Sequence, residues 1–187
     1  MLIFVSGGVR SGKSRVAEEF ISTLYKEHAV YIATSRLTDH EMKQRIQLHQ
    51  NQRRASLVPW ETYEVPIHLK SIFSSIRPTD VLLLDCVTNW LANELFSNEQ
   101  RWQTIDKQRE VYNEMIEVIE TLQNKCKAIV LVSNELFEAS TLEGPTYTYM
   151  YMLGKLHQFI IEKADIAVCV EAGIPLYKKG KEAFLYD

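Results

Sequence analysis

The residues that point most directly to chemistry lie near the amino terminus, where Gly7-Gly8-Val9-Arg10-Ser11-Gly12-Lys13-Ser14 matches the pattern G-x-x-x-x-G-K-[ST]. Glycines allow backbone N–H groups to converge on phosphate oxygens, and the helix that follows adds partial positive charge. We expect Lys13 to reach the β- and γ-phosphates and the Ser14 hydroxyl to bind Mg²⁺. The alternative is a glycine-rich turn without function. The motif predicts a nucleoside triphosphate site but does not specify the reaction.

Two acidic residues follow apolar segments. Asp85 comes directly after residues 81–84, which predicts a carboxylate for Mg²⁺ at the end of a neighbouring strand. The alternative is an Asp that caps the helix expected near Thr88. Glu135 follows residues 128–133 in the same way, where it lines either a ligand crevice or a solvent-facing loop.

The five histidines do not have metal-ligand spacing with any cysteine. His49 shares an apolar stripe with Met42 and Ile46 in a segment of helical character, residues 39–54. A histidine on such a stripe is more often a packed core residue than a nucleophile. The pattern alone therefore gives no reason to choose His49 as a catalytic group.

These residues must be positioned by an alternation of strands and helices. Short apolar runs rich in Val and Ile predict strands at residues 2–6, 30–34, 81–85, 128–133 and 166–170. Amphipathic patterns predict helices at residues 14–26 and 102–124, residues 60–65 suggest another strand, and residues 174–185 suggest a terminal hairpin. We expect an α/β fold of the P-loop NTPase type, a mostly parallel sheet with helices on both faces, in a single domain spanning residues 1–187.

The composition excludes several other classes of protein. Hydrophobic residues make up 46% and charged residues 24% of the 187 residues, as in ordinary globular proteins. The net charge of −3 argues against nucleic acid as the main partner. We expect no membrane span, because no apolar run has the required length. Three widely spaced cysteines, with no CxxC pair, favour reduced thiols and a cytoplasmic location.

Several short motifs occur in an order that resembles the bifunctional adenosylcobinamide kinase / adenosylcobinamide-phosphate guanylyltransferase family. The motifs are the loop through Arg15 with Ala17-Glu18, then Tyr31-Ile32-Ala33-Thr34-Ser35, Glu41-Met42, Arg45-Ile46-x-x-His49, Trp60-x-Thr62-x-Glu64, Leu84-Asp85-Cys86-Val87-Thr88, Trp90-Leu91, Asn93 and Val132-Ser133-Asn134-Glu135. Except for the loop, each motif is weak alone, but their shared order makes the resemblance specific.

The resemblance implies an enzyme of cobalamin biosynthesis that uses Mg²⁺ with ATP or GTP. It would phosphorylate adenosylcobinamide and then transfer GMP from GTP through a guanylylated His49, which gives adenosylcobinamide-GDP. The implied nucleotide site, besides residues 7–14, consists of Thr34, Ser35, Arg36, Gln50, Asn51, Gln52, Arg53, Glu64 and Asp85. The resemblance also implies a homotrimer.

The chain departs from the family pattern within residues 136–163. Leu136-Phe137-Glu138-Ala139-Ser140 replaces a glycine-containing loop, Met150-Tyr151 replaces an Arg-Asp pair, and His157 replaces an Asn. The aromatic residues and methionines between 147 and 152 are interpreted as packing or subunit contacts rather than as a cofactor site. Two other interpretations stay open: a small-molecule kinase without guanylyl transfer, and a non-catalytic nucleotide-binding module.

Overall fold

The computed structural model describes residues 1–36, 58–136 and 143–180. The strands are β1 (Leu2–Gly7), β2 (Ala29–Ala33), β3 (Trp60–Glu64), β4 (Val81–Asp85), β5 (Ala128–Asn134), β6 (Ile166–Glu171) and β7 (Ile174–Lys179). The helices are α1 (Lys13–Leu24), α2 (Val87–Leu95), α3 (Glu99–Gln103), α4 (Ile105–Lys125) and α5 (Gly144–Lys163), with a 3-10 turn at Leu69–Ile72.

The described strands form one sheet in the order β3-β2-β4-β5-β1-β6-β7. Every neighbouring pair is parallel except β6 and β7, which form an antiparallel hairpin. This confirms the α/β fold class and each predicted strand. The carboxyl ends of the six parallel strands consequently lie along one edge of the sheet, where open α/β sheets bind ligands.

Helices cover both faces of the sheet because successive strand residues point to opposite sides. Along β1, Leu2 and Phe4 pack with apolar residues of α2, α4 and α5. Ile3 and Val5 pack on the other face with apolar residues of α1. These two buried clusters fix the sheet between its helices and hold its carboxyl edge in place.

The hairpin predicted at residues 174–185 is instead formed by β6 with β7, and residues 181–185 lie outside the described residues. Two further predictions differ from the structure. The segment predicted as one helix at residues 102–124 divides into α3 and α4, because Thr104 adopts an extended conformation and its side chain accepts the Lys107 N–H. Its hydroxyl therefore begins a new helix. The second difference is that β4 does not neighbour β1, since β5 lies between them.

Within residues 1–36, 58–136 and 143–180, no helix is both long enough and apolar enough to cross a membrane.

Candidate active site

The predicted phosphate loop connects the end of β1 to the start of α1. Ser11 N–H donates to the Gly8 carbonyl at 3.2 Å, and Gly12 occupies the N-cap position of α1 with φ 91°. Arg10 also has a positive φ, 60°. These turns make residues 8–12 curl at the carboxyl edge of the sheet, directly before the amino terminus of a 12-residue helix. The geometry is that of an anion site.

Lys13 is held inside this loop. Its Nζ donates to the Gly8 carbonyl at 3.1 Å, and the residue is only 9% exposed. Burial lowers the pKa of Lys13 from its ordinary value, an effect that the negative charge of Asp85 opposes. A cation in this position is poorly solvated and gains most from an incoming phosphate group.

Asp85 ends β4 on the same edge of the sheet as the phosphate loop. Its Oδ2 accepts a hydrogen bond from the Tyr31 hydroxyl at 2.9 Å, which orients the carboxylate. The N-cap position of α2 is occupied by Cys86, so Asp85 does not occupy the capping position considered as the alternative. The prediction that Asp85 ends a strand next to β1 is wrong, because β5 lies between β4 and β1. The Asp85 carboxylate is nevertheless close enough to Lys13 to raise the pKa of that lysine.

The chemistry of Ser14 and Asp85 fits Mg²⁺. Both are half-buried and provide hard oxygen donors, a hydroxyl and a carboxylate. In the part of the chain that the structure describes, no three His, Cys, Asp or Glu residues cluster as a metal site. Mg²⁺ bound to nucleotides takes most of its ligands from phosphates and water, so two protein oxygens are sufficient.

Thr34 is fully buried, and its hydroxyl joins the ends of β2 and β4. The Oγ1 donates to the Cys86 carbonyl and accepts the Cys86 N–H, both at 2.8 Å. Asn93 of α2 donates to the Thr34 carbonyl at 2.7 Å, and Asn89 donates to the Ser35 hydroxyl at 2.9 Å. These bonds fix the β2 and β4 ends relative to α2. A nucleotide contact of Thr34, Ser35 and the exposed Arg36 stays a prediction.

Asn134 connects β5 to the start of α2. Its Nδ2 donates to Thr88 Oγ1 at 3.0 Å, and Thr88 Oγ1 lies 2.8 Å from Cys86 Sγ. The Tyr149 hydroxyl of α5 donates to the Thr88 carbonyl at 3.1 Å. The sequence pattern indicates no hydrogen-bonding role for Tyr31 or Asn89, and it indicates only packing or subunit contact for Tyr149. Their contacts cross long stretches of chain and have no local signal.

Glu135 lies beside the phosphate loop, just beyond β5. Its N–H donates to the Gly7 carbonyl at 3.1 Å, and its Oε1 accepts from Ser6 Oγ at 2.9 Å. The Cys169 thiol also donates to Oε1, at 3.3 Å. Burial raises the pKa of Cys169, and the hydrogen bond to the Glu135 carboxylate raises it further. Glu135 is exposed and is bonded to the end of β1, and its place in a ligand crevice stays a prediction.

Glu64 lies on the same edge of the sheet but far from the phosphate loop. It ends β3, is exposed and pairs in register with Ala33. The sheet order places β3 four strands from β1, and at about 4.8 Å per strand this gives a lateral separation of about 19 Å. The structure therefore brings Lys13 and Asp85 together but not Glu64. His49, Gln50, Asn51, Gln52 and Arg53 lie outside the described residues.

Of the departures from the family pattern, Leu136 is exposed beyond β5, residues 137–140 lie outside the described residues, and the others lie on α5. His157 is buried, with Nε2 2.7 Å from Ser133 Oγ, and its ring makes an edge contact with Phe4. This places His157 in the core. Met152 is also buried, whereas Tyr147 and Tyr151 are exposed and stack on each other. Packing is thus confirmed for Met152, and subunit contacts of the two tyrosines stay a prediction.

Comparison with known proteins identifies relatives over nearly the whole chain. The sequence model described as cobinamide kinase / cobinamide phosphate guanyltransferase matches residues 3–177. The bifunctional adenosylcobalamin biosynthesis protein CobU of Escherichia coli is 37% identical over 93% of this chain and 97% of its own. CobU of Salmonella typhimurium is 33% identical over the same shares, and CobP of Pseudomonas aeruginosa is 35% identical over 95% and 96%.

The match includes the phosphate loop, Lys13 and Asp85, whose arrangement at the carboxyl edge has been described above. It confirms the resemblance that the order of the motifs had indicated. The chain belongs to the cobinamide kinase / cobinamide phosphate guanyltransferase family.

Proposed function

We propose that this protein phosphorylates adenosylcobinamide with ATP or GTP and then transfers GMP from GTP to adenosylcobinamide phosphate. The product is adenosylcobinamide-GDP, and the transfer proceeds through a guanylylated His49. The main observation in support is the phosphate loop of this family member. In this loop, Lys13 is buried, donates a hydrogen bond to the Gly8 carbonyl and interacts electrostatically with Asp85. A buried lysine in such a loop is typical of an enzyme that stabilises a transferring phosphoryl group.

In the kinase step, the hydroxyl on the aminopropanol side chain of adenosylcobinamide attacks the γ-phosphorus of the nucleotide. The bond from the γ-phosphorus to the β,γ-bridging oxygen breaks, the nucleoside diphosphate leaves, and the hydroxyl proton passes to solvent. The N–H groups of the phosphate loop other than that of Ser11, together with the amino terminus of α1, bind the phosphate oxygens. Lys13 neutralises the charge that develops on those oxygens. Ser14 and Asp85 would hold Mg²⁺, which when bound supplies further charge neutralisation. Tyr31 keeps the Asp85 carboxylate oriented through its hydrogen bond.

In the guanylyl step, an imidazole nitrogen of His49 attacks the α-phosphorus of GTP, and the bond to the leaving pyrophosphate breaks. A phosphate oxygen of adenosylcobinamide phosphate then attacks the same phosphorus, the P–N bond breaks, and the imidazole is released. Neutral imidazole is available as a nucleophile near pH 7. The covalent intermediate divides one difficult transfer into two steps.

We further propose that the two steps use different parts of the carboxyl edge. The phosphate loop serves the kinase step, and the ends of β2 and β3, with Thr34, Ser35, Arg36 and Glu64, serve the guanylyl step together with residues 50–53. The four-strand spacing between β1 and β3 supports this division, because a single triphosphate is too short to lie across about 19 Å while it also contacts Lys13.

Three further properties complete the proposal. A single domain is supported by the one sheet that all the described strands share. A cytoplasmic location is supported by three cysteines that are free and buried. A homotrimer is proposed from the resemblance to the family, and the exposed stacked tyrosines of α5 provide an apolar surface suited to subunit contact.

Radioactive GTP labelled at either the α- or the γ-phosphate tests the proposal. The α-label should become attached to the protein by an acid-labile bond and the γ-label should appear on cobinamide. His49→Ala should abolish only the first result. His68→Asn is the matched control, because it removes a histidine while Asn tolerates the positive φ of 56° at that position. Transfer of γ-label without protein labelling would instead establish a kinase without guanylyl transfer.

A further inference from the structure

The turn between β6 and β7 contacts the phosphate loop from outside. Gly173 N–H donates to the Ser11 carbonyl at 2.8 Å, and the Gly173 carbonyl accepts from Arg15 Nη2 at 2.9 Å. One residue of the turn is therefore bonded both to the loop and to the first turn of α1. More than 150 positions separate Gly173 from these partners along the chain.

The contact is close because both surfaces are glycine backbone. A Cβ on Gly12 would lie 3.2 Å from the Gly173 Cα, so a larger residue there would push the turn away. Gly12 and Gly173 have φ values of 91° and 82°, which favour glycine. The sheet holds the turn in place, since Val170 of β6 pairs in register with Gly7 of β1.

The bond to Ser11 has a directional consequence for phosphate binding. A trans peptide is planar, and its C=O and N–H groups point in opposite directions. When Gly173 holds the Ser11 carbonyl, the N–H of Gly12 is aimed away from the turn. This aligns one of the loop donors before any ligand arrives, which lowers the cost of organising the loop on binding.

The Arg15 guanidinium already has protein partners in the absence of a phosphate. Its guanidinium bonds the Gly173 carbonyl through Nη2 and forms an ion pair with the exposed Glu19 through Nη1. We propose that the turn at residues 171–174 is a positioning element for the phosphate loop, and that Arg15 is a positioning residue that acts through Gly173. The proposal rests on the proposed nucleotide binding by the loop.

Calorimetric binding of α,β-methylene-GTP with Mg²⁺ tests this role, because the methylene bridge prevents guanylylation of the protein. The binding that is lost in Lys13→Met identifies the contribution of the phosphate loop. Arg15→Gln removes the bond to Gly173, lowers the population of the aligned loop and should weaken binding about threefold to tenfold. Glu19→Gln is the matched control, since it removes the ion pair of Arg15 but keeps the bond to Gly173, and it should bind as tightly as the wild type.

The double variant separates positioning from a direct phosphate contact. Gly173→Ala has space, because its Cβ would lie 3.8 Å from Arg15 Nη2, but its φ of 82° strains the turn and should also weaken binding. If Arg15 acts on the loop through the turn, Arg15→Gln should weaken binding less in a Gly173→Ala background than in the wild type. An undiminished effect of Arg15→Gln in that background would mean that Arg15 acts separately from the turn, and the proposal would be wrong.

Hydrogen exchange provides a readout that a purely structural role would not change. By linkage, nucleotide binding should slow exchange of the Gly173 N–H in the wild type, and less so in Arg15→Gln. Unchanged exchange at Gly173, or wild-type affinity in Arg15→Gln, would overturn the inference but not the proposed function. A wild-type protein that fails to bind the analogue would contradict the proposed function itself.

Discussion

His157 should make the stability of the protein depend on pH. The residue is 7% exposed, and its Nε2 lies 2.7 Å from the buried Ser133 Oγ. Burial lowers the pKa of His157 from 6.5 to about 4, an effect that the charge of Glu135 partly opposes. The neutral ring is thus the form that the core accepts.

The direction and the size of this pH dependence follow from the linkage between proton binding and unfolding. Between pH 6.5 and pH 4 the unfolded chain binds a proton at this histidine and the native protein does not, so the free energy of unfolding falls as the pH falls. The contribution of His157 to the free energy of unfolding is fully present above pH 6.5. From these two pKa values, we expect the protein to lose about 2 kcal/mol between pH 7.5 and pH 5.0 because of His157 alone.

Urea denaturation at the two pH values measures this loss, with the intrinsic fluorescence of the tryptophans as the signal. His157→Gln keeps a polar group near Ser133 but does not titrate in this range. Its loss between pH 7.5 and pH 5.0 should therefore be about 2 kcal/mol smaller than that of the wild type. Equal losses in the wild type and His157→Gln would refute the argument that the native core excludes the protonated ring.

Three substitutions test the phosphate loop and its surroundings. Lys13→Met should lower kinase turnover about 100-fold to 1000-fold. Its free energy of unfolding in urea should be no lower than that of the wild type, because the substitution removes a poorly solvated cation. A fully active variant would contradict the assignment of Lys13 to the kinase step. Gly12→Ala should lower the unfolding free energy by about 1–2 kcal/mol and weaken GTP binding in calorimetry, since its φ is 91° and Gly173 lies against it. Tyr31→Phe should raise the Mg²⁺ concentration that gives half-maximal kinase activity about threefold to tenfold, through the lost hydrogen bond to Asp85; an unchanged Mg²⁺ titration would argue against a metal role for Asp85.

The sequence predicts those features that depend on neighbouring residues. The loop with Lys13 and Ser14 is a local motif, and the apolar runs around it are long enough to identify the strands. The fold class follows from their alternation. The order of the strands does not, because a parallel sheet is assembled by contacts between distant segments, and the position of β5 between β1 and β4 became clear only in three dimensions.

Contacts across the fold account for the features that the sequence did not predict. The hydrogen bond from Tyr31 to Asp85 connects residues that are 54 positions apart. The contact between Gly12 and Gly173 connects residues near opposite ends of the described chain. In the sequence, His157 stands out only as a departure from the family pattern. Its burial against Ser133 requires α5 to pack on β5, and nothing in the residues around position 157 indicates this contact.

The fate of labelled GMP tests the central claim most directly. Protein guanylylated with α-labelled GTP is freed of nucleotide and mixed with unlabelled adenosylcobinamide phosphate. We expect the label to leave His49 and appear in adenosylcobinamide-GDP with a yield close to one per bound GMP. Label that stays on the protein, or that is released only as free GMP, would contradict the assignment of this chain as a guanylyltransferase that acts through residue 49.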